Sequence, residues 1–185
     1  PLFFQTALLL LKRYPQAQFL LPAATAATRR RIGEILAQPE FSAIPVTITD
    51  KQSDTVCTAA DVVLVTSGTA TLETALFNVP QVVCYNMKGG ILVRKLRPYF
   101  LKCPFISLVN LIADLEVVPE LIADDTRPAN LAAHLAPLLE DSPTRRAQLS
   151  GYAEMRHRLG PVGAPDRAAR FIHSRLTDPS SKENS

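Results

Sequence analysis

The chain has 185 residues, 47% of them hydrophobic and 20% charged, which is enough apolar material for one sizeable core and excludes a disordered chain. Its 20 basic and 17 acidic residues leave a net charge of +3. That field is too mild to mark a nucleic-acid binder, so no nucleic-acid partner is expected and electrostatics must be argued locally.

In chain order, Leu2 to Tyr14 is predicted helical and too apolar for an exposed surface. Gln18 to Leu21, ended by Pro22, reads as a short buried strand, Thr28 to Gln38 as a helix, and Pro45 to Thr49 as the next strand. A short helix around Ser53 to Ala60 precedes Asp61 to Thr66 (DVVLVT), the clearest strand in the chain. Ala70 to Phe77 is predicted helical, Pro80 to Tyr85 a strand, and Ile91 to Leu101 a helix interrupted by Pro98. Continuous apolar strands separated by helices of this length require a parallel sheet covered on both faces. The fold class is therefore α/β, a doubly wound, Rossmann-like parallel sheet. From Pro128 the pattern is helical through Leu139, Ala147 to Leu159 and Pro165 to Leu176. The reading divides the chain into an α/β core over 1–127, helices over 128–177 packed on the same domain, and a frayed polar tail over 178–185.

The chain opens on Pro1 rather than Met, and an excerpt of a longer polypeptide is expected. Cys57, Cys84 and Cys103 form no CxxC pair, are odd in number and lie in apolar stretches, so they read as reduced thiols of a cytosolic protein. The longest apolar run, Ala7 to Leu11 with Leu2 to Phe4 before it, is shorter than the roughly 18–20 residues of a membrane span. Lys12 and Arg13 follow that run, where a signal peptide carries its basic residues in front.

The chemistry concentrates where the DVVLVT strand runs through Ser67, Gly68 and Thr69 straight into a helix. A helix start offers unpaired amides and a partial positive charge. Gly68 lets a ligand approach the backbone, and Ser67, Thr69 and Thr71 add hydroxyls. Glu73 lies one turn into the helix, where a carboxylate can accept from a vicinal diol such as a ribose. The competing reading is a plain N-cap at Ser67 or Thr69 with Glu73 as a dipole-complementing surface acid. No GxGxxG, GxxxxGK[ST] or GxSxG is present, and His134, His157 and His173 lack metal-ligand spacing. A DxD-type pair is also missing, so these residues give no support to a metal-bridged diphosphate; no metal and no cofactor are expected.

Thr66 to Ala75 (TSGTATLETA), the GVP-like Asn78-Val79-Pro80, Val82 to Tyr85 (VVCY), Pro104 to Ala113 (PFISLVNLIA) and Glu116 to Leu121 (EVVPEL) together resemble the lipid-A-disaccharide synthase family. The resemblance runs to about Leu176, through Tyr152 to Arg158 and the turn at Gly160 to Ala164. It implies the donor-binding half of a bacterial GT-B glycosyltransferase. The reaction implied is transfer of 2,3-diacylglucosamine from UDP to 2,3-diacylglucosamine 1-phosphate (lipid X), giving the β-1,6 lipid A disaccharide precursor. UDP-2,3-diacylglucosamine is then a substrate, Ser67, Gly68, Thr69 and Thr71 face its diphosphate, and Glu73 holds the ribose. Tyr85 at the end of the neighbouring strand, Asn110 at the cleft, and Glu116 and Glu120 nearby, which share a face if that segment is helical, are further candidate substrate-binding residues. The resemblance also implies an amino-terminal acceptor domain outside this chain, carrying the catalytic base, and leaves a homodimer open.

The text departs from the family's at Asn86, where many relatives carry a basic residue, at Leu115 in ADLE for AGRE, and at Ala123 in ELIA for ELLQ. Which side chains there meet the donor is left open. Between Lys88 and Cys103 five basic residues and no acidic one interleave with apolar ones. Such a stretch, with Arg94, Lys95, Arg97 and Lys102, suits an anionic inner-membrane surface, at about 1 kcal/mol per basic residue, or an ordinary helix with a solvated basic face. The expected location is cytoplasmic and peripheral to the inner membrane. Other UDP-sugar enzymes of the same architecture, an N-acetylglucosaminyltransferase or a UDP-sugar 2-epimerase, share the phosphate logic, and a non-catalytic α/β ligand-binding module is the alternative of a different class.

Overall fold

The computed structural model of the chain describes residues 1–50, 53–66, 68–85 and 105–177. The expected helix over 91–101 and the expected tail over 178–185 lie outside these residues.

Helix α1 (Leu2–Arg13) buries Phe4, Thr6, Ala7 and Leu10, a stripe at helical spacing, and places Lys12 and Arg13 at its negative end. It leads into β1 (Phe19–Ala23), α2 (Ala26–Leu36), β2 (Val46–Asp50) and α3 (Ser53–Ala59). Then follow β3 (Val63–Thr66), α4 (Thr69–Leu76), β4 (Gln81–Tyr85), α5 (Leu108–Ala113) and β5 (Glu120–Ile122). The helical end comprises α6 (Pro128–Leu135), α7 (Pro143–Leu159) and α8 (Ala164–Thr177). Pro sits in the first turn of α6 and α7, where its missing N–H costs nothing, and Ser142 caps α7 by accepting from the Arg145 amide at 3.0 Å.

Every described strand pairing is parallel. The strands form two ladders, β1–β2 with Phe19 opposite Val46, and β3–β4–β5 with Val63 opposite Gln81 and Val83 opposite Glu120. Among the described residues the parallel pairing is thus divided into two ladders, and α1 packs across both. Its Leu10 joins Val82, Cys84, Leu121 and Leu131, while its Phe4 and Ala7 join Phe41 and Ile44. On the opposite face of β4, Val83 and Tyr85 meet Ala75 of α4, Val109 of α5, and Tyr152 and Met155 of α7. Helices therefore cover both faces, and all five residues of β4 are buried, each of its valines contributing about 1.5–3 kcal/mol.

Two local differences from the sequence reading, and the way α4 ends, have physical causes. Strand β1 continues through Pro22 to Ala23. The Phe19 amide bonds Pro45 O, so alternate amides face β2 and the missing N–H of Pro22 falls on the other edge. Residues 116–120 are not helical, because β5 begins at Glu120, and Glu116 and Glu120 share no helix face. Asn78, in the position of the GVP-like glycine, takes φ 61°, the left-handed conformation that asparagine tolerates, and closes α4 with amide bonds from Asn78 to Ala75 O and from Val79 to Thr74 O. Helix α7 lies close enough to the turn before β5 that a Cβ on Gly151 would stand 2.6 Å from Val117 Cγ1. In α8 the described side chains are exposed throughout.

Candidate functional site

The carboxyl end of β3 turns into α4 through Gly68, whose φ of 100° and ψ of −158° suit only glycine. An ideal Cβ at this position would meet no heavy atom of the described residues within 4 Å, so the turn opens away from them. Among the described residues no side chain caps α4. The Thr71 amide bonds Gly68 O at 3.3 Å, but among the described residues no acceptor is paired with the amides of Thr69 and Ala70. Thr66, Gly68, Thr69 and Ala70 are all exposed. An uncapped, accessible helix start beside a glycine is an arrangement that takes an anion, since donors and dipole point the same way.

Glu73 is exposed one turn along α4, on the same helix face as Thr69. Thr71 differs from the expectation of a hydroxyl facing a ligand. It is fully buried, and its Oγ1 donates to Gly68 O at 2.9 Å, so the side chain braces the turn from inside. Ser67 lies outside the described residues, as do Arg94, Lys95, Arg97 and Lys102 of the expected membrane contact.

Tyr85, at the end of β4, is buried with Ala75, Val109 and Tyr152. Asn110 and Glu120 are brought together, and the protein itself uses them. Asn110 is 0% exposed; its Oδ1 accepts from the amides of Val117 (2.8 Å) and Val118 (2.9 Å), and its Nδ2 donates to Val118 O (2.9 Å) and Glu120 Oε1 (2.9 Å). All four hydrogen-bonding positions of its carboxamide are engaged, so this side chain clamps the turn before β5 instead of presenting itself to a cleft. The Glu120 carboxylate accepts from the Ile106 and Ser107 amides at 2.9 and 2.8 Å and so occupies the amino end of α5. Glu116 is exposed and lines, with Glu120, Asp125, Asn130 and His134, a polar pocket of about 190 Å³ to which no first-turn residue of α4 contributes. Ala123 follows β5 in the left-handed region at φ 54°.

Sequence reasoning missed a group of buried polar residues behind α4. Gln81, Gln148 and Tyr152 bond one another, and Arg156 donates to Ala75 O at 2.9 Å and Asn78 Oδ1 at 3.1 Å. The available signal was Gln81, the one hydrogen-bonding carboxamide in an otherwise apolar strand. Burial pushes the Tyr152 phenol well up and the Cys84 thiol up to about 11, so neither is a nucleophile or base near neutral pH. Burial also raises the Cys57 thiol, beside Thr74 Oγ1 at 3.8 Å. Among the described residues no group of three His, Cys, Asp or Glu is placed to hold a metal ion, and no helix is long and apolar enough to cross a membrane.

Compared with known proteins, residues 1–165 match the family described as lipid-A-disaccharide synthetase. The chain is 50% identical over 175 residues to a lipid-A-disaccharide synthase of Neisseria meningitidis serogroup A, covering 93% of this chain and 44% of the relative. It is 48% identical over 175 residues to the synthase of Neisseria gonorrhoeae, covering 93% of this chain and 43% of the relative. To that of Pseudomonas syringae pv. syringae it is 39% identical, covering 95% of this chain and 44% of the relative. The chain therefore spans somewhat under half the length of these curated relatives.

Proposed function

The chain belongs to the lipid-A-disaccharide synthase family, and on that premise we propose that it supplies the UDP-sugar donor site for transfer of 2,3-diacylglucosamine from UDP to 2,3-diacylglucosamine 1-phosphate. The observation that carries this reading is the uncapped, glycine-opened start of α4 at the carboxyl end of β3. There the amides of Thr69 and Ala70, with the hydroxyls of Ser67 and Thr69, receive the diphosphate, and the Glu73 carboxylate accepts from the ribose hydroxyls.

In the transfer, the acceptor hydroxyl attacks the anomeric carbon from the face opposite UDP, and the bond from that carbon to the diphosphate oxygen breaks. Negative charge grows on the departing oxygen. Amides fixed by the β3–α4 turn need no reorientation to meet it, which is the logic of an oxyanion hole, where one donor is worth about 3 kcal/mol. The acceptor pocket and its general base are assigned to the part of the family's length that this chain does not span, so this chain binds UDP and the UDP-sugar donor without transferring the sugar. The basic stretch over 88–103 is assigned to an anionic membrane surface that presents the acylated substrates.

Isothermal titration of the chain with UDP tests the reading. Saturable binding with 1:1 stoichiometry is expected, weakened about tenfold by Glu73→Ala, as for loss of a charged hydrogen bond. Absence of heat at millimolar UDP in a sample with a cooperative thermal transition would count against it.

A further inference from the structure

Strand β5 is three residues long and its pairing with β4 begins at Val83 opposite Glu120. The Val83 amide bonds Pro119 O on that side, so the main chain of Gln81, two residues earlier, faces the same way with no strand beside it. Gln148 of α7 fills the position. Its Oε1 accepts from the Gln81 amide at 2.7 Å and its Nε2 donates to Gln81 O at 3.0 Å, so one side-chain amide stands in for the missing strand residue. Gln81 in turn sends its Nε2 to Thr71 O at 2.9 Å and to the Tyr152 hydroxyl at 3.2 Å. That hydroxyl lies 3.1 Å from both Val79 O and Gln148 Oε1.

Gln81, Thr71 and Tyr152 are fully buried and Gln148 is 4% exposed. Thr71 belongs to the first turn of α4, and its Oγ1 closes on Gly68 O. A continuous set of buried bonds therefore runs from α7 through Gln81 and Thr71 to the glycine of the anion-receiving turn. At the other end of α4, Arg156, one turn further along α7, holds Ala75 O and Asn78 Oδ1. The eight-residue α4 is gripped at both ends by one helix that reaches no ligand. The arrangement carries a cost that a purely packing role would avoid: Gln81 Oε1 is buried with no partner among the described residues, where an apolar side chain would leave none unpaired.

We infer that Gln148 and Tyr152 are positioning residues for the phosphate-receiving end of α4, acting through Gln81 to set where the Thr69 and Ala70 amides point. This rests on the donor-site reading only for the identity of the anion. A displacement of well under 1 Å at those amides is enough to weaken a diphosphate contact, because hydrogen bonds of this kind depend steeply on distance and angle.

The test uses the 185-residue chain carrying Tyr152→Phe, which removes only the hydroxyl, or Gln148→Met, which keeps the volume and removes the strand-like pairing. Phe41→Leu, in the separate cluster at α1 and β2, serves as a control of stability lost elsewhere. UDP affinity is measured by calorimetry, and amide hydrogen exchange at Leu72 and Glu73 is followed without ligand. The two α7 variants are expected to weaken UDP by about tenfold and to speed exchange at those two amides by about tenfold, beyond any change common to the whole chain. Phe41→Leu is expected to lower the melting temperature with neither local effect. If the α7 variants shift affinity and exchange no more than Phe41→Leu does at equal loss of melting temperature, the inference is overturned. If the unmodified chain binds no UDP but the local exchange effect appears, the donor-site reading fails while the grip on α4 stands.

Discussion

At the start of α5 the Glu120 carboxylate takes the amides of Ile106 and Ser107, and Ser107 Oγ accepts from the Asn110 amide at 3.3 Å; at the start of α4 no described side chain does either. One helix entry holds a carboxylate of the chain itself, and the other shows none among the described residues. Glu120 shows what the described residues of the α4 end lack, a carboxylate of the chain itself held by the main-chain amides that lead into a helix. Two neighbouring helix starts in one domain thus separate a structural anion site, with the anion built into the chain, from one whose anion must come from outside.

The largest expected effect follows from breaking the sealed end. Glu120→Ala leaves two main-chain amides and the Asn110 carboxamide without their shared acceptor, and urea denaturation is expected to show a loss of about 3 kcal/mol. UDP affinity at α4 is expected to stay within about twofold, since the bonds of Glu120 to the Ile106 and Ser107 amides and to Asn110 do not reach the first turn of α4. A large loss of affinity at intact folding would show that the two helix starts act as one site.

A smaller stability effect and a larger functional one are expected at the open end. Gly68→Ala forces a Cβ into a backbone conformation with positive φ, costing about 1 kcal/mol by thermal denaturation. Any relaxation of φ re-aims the Thr69 amide, so UDP binding is expected to fall by about tenfold or more although no atom stands where the new methyl would go. Unchanged affinity would mean that the glycine serves the turn and not a ligand.

Much of this contrast was legible from the residues, and its limits have physical causes. The β3–α4 junction stood out because an apolar strand ending in small hydroxyl residues and glycine suits either an anion or a plain helix cap, and the residues alone do not choose between them. Strands β1 to β4 and helices α1 to α4 follow hydrophobic period closely. The sealed end was not legible. LVNLIA and ELI are too short to establish a period, so α5 and β5 were not anticipated, and Glu120 read as a free acid rather than as an internal cap. Thr71 and Asn110 read as ligand contacts because hydroxyls and carboxamides have the same chemistry whether they face a cleft or a turn. Only the fold shows that Thr71 Oγ1 points to Gly68 O and that Asn110 spends its whole amide on residues 117–120. The pairing of Gln148 with the main chain of Gln81 depends on where β5 begins, a register that no local pattern encodes.

The most direct measurement is a UDP titration of the isotopically labelled chain followed through its main-chain amide resonances. The account predicts saturable shifts centred on Gly68, Thr69 and Ala70, with the Ile106 and Ser107 amides, already bonded to Glu120, unmoved. Shifts centred at the α5 start, or none at α4 under millimolar UDP, would contradict it.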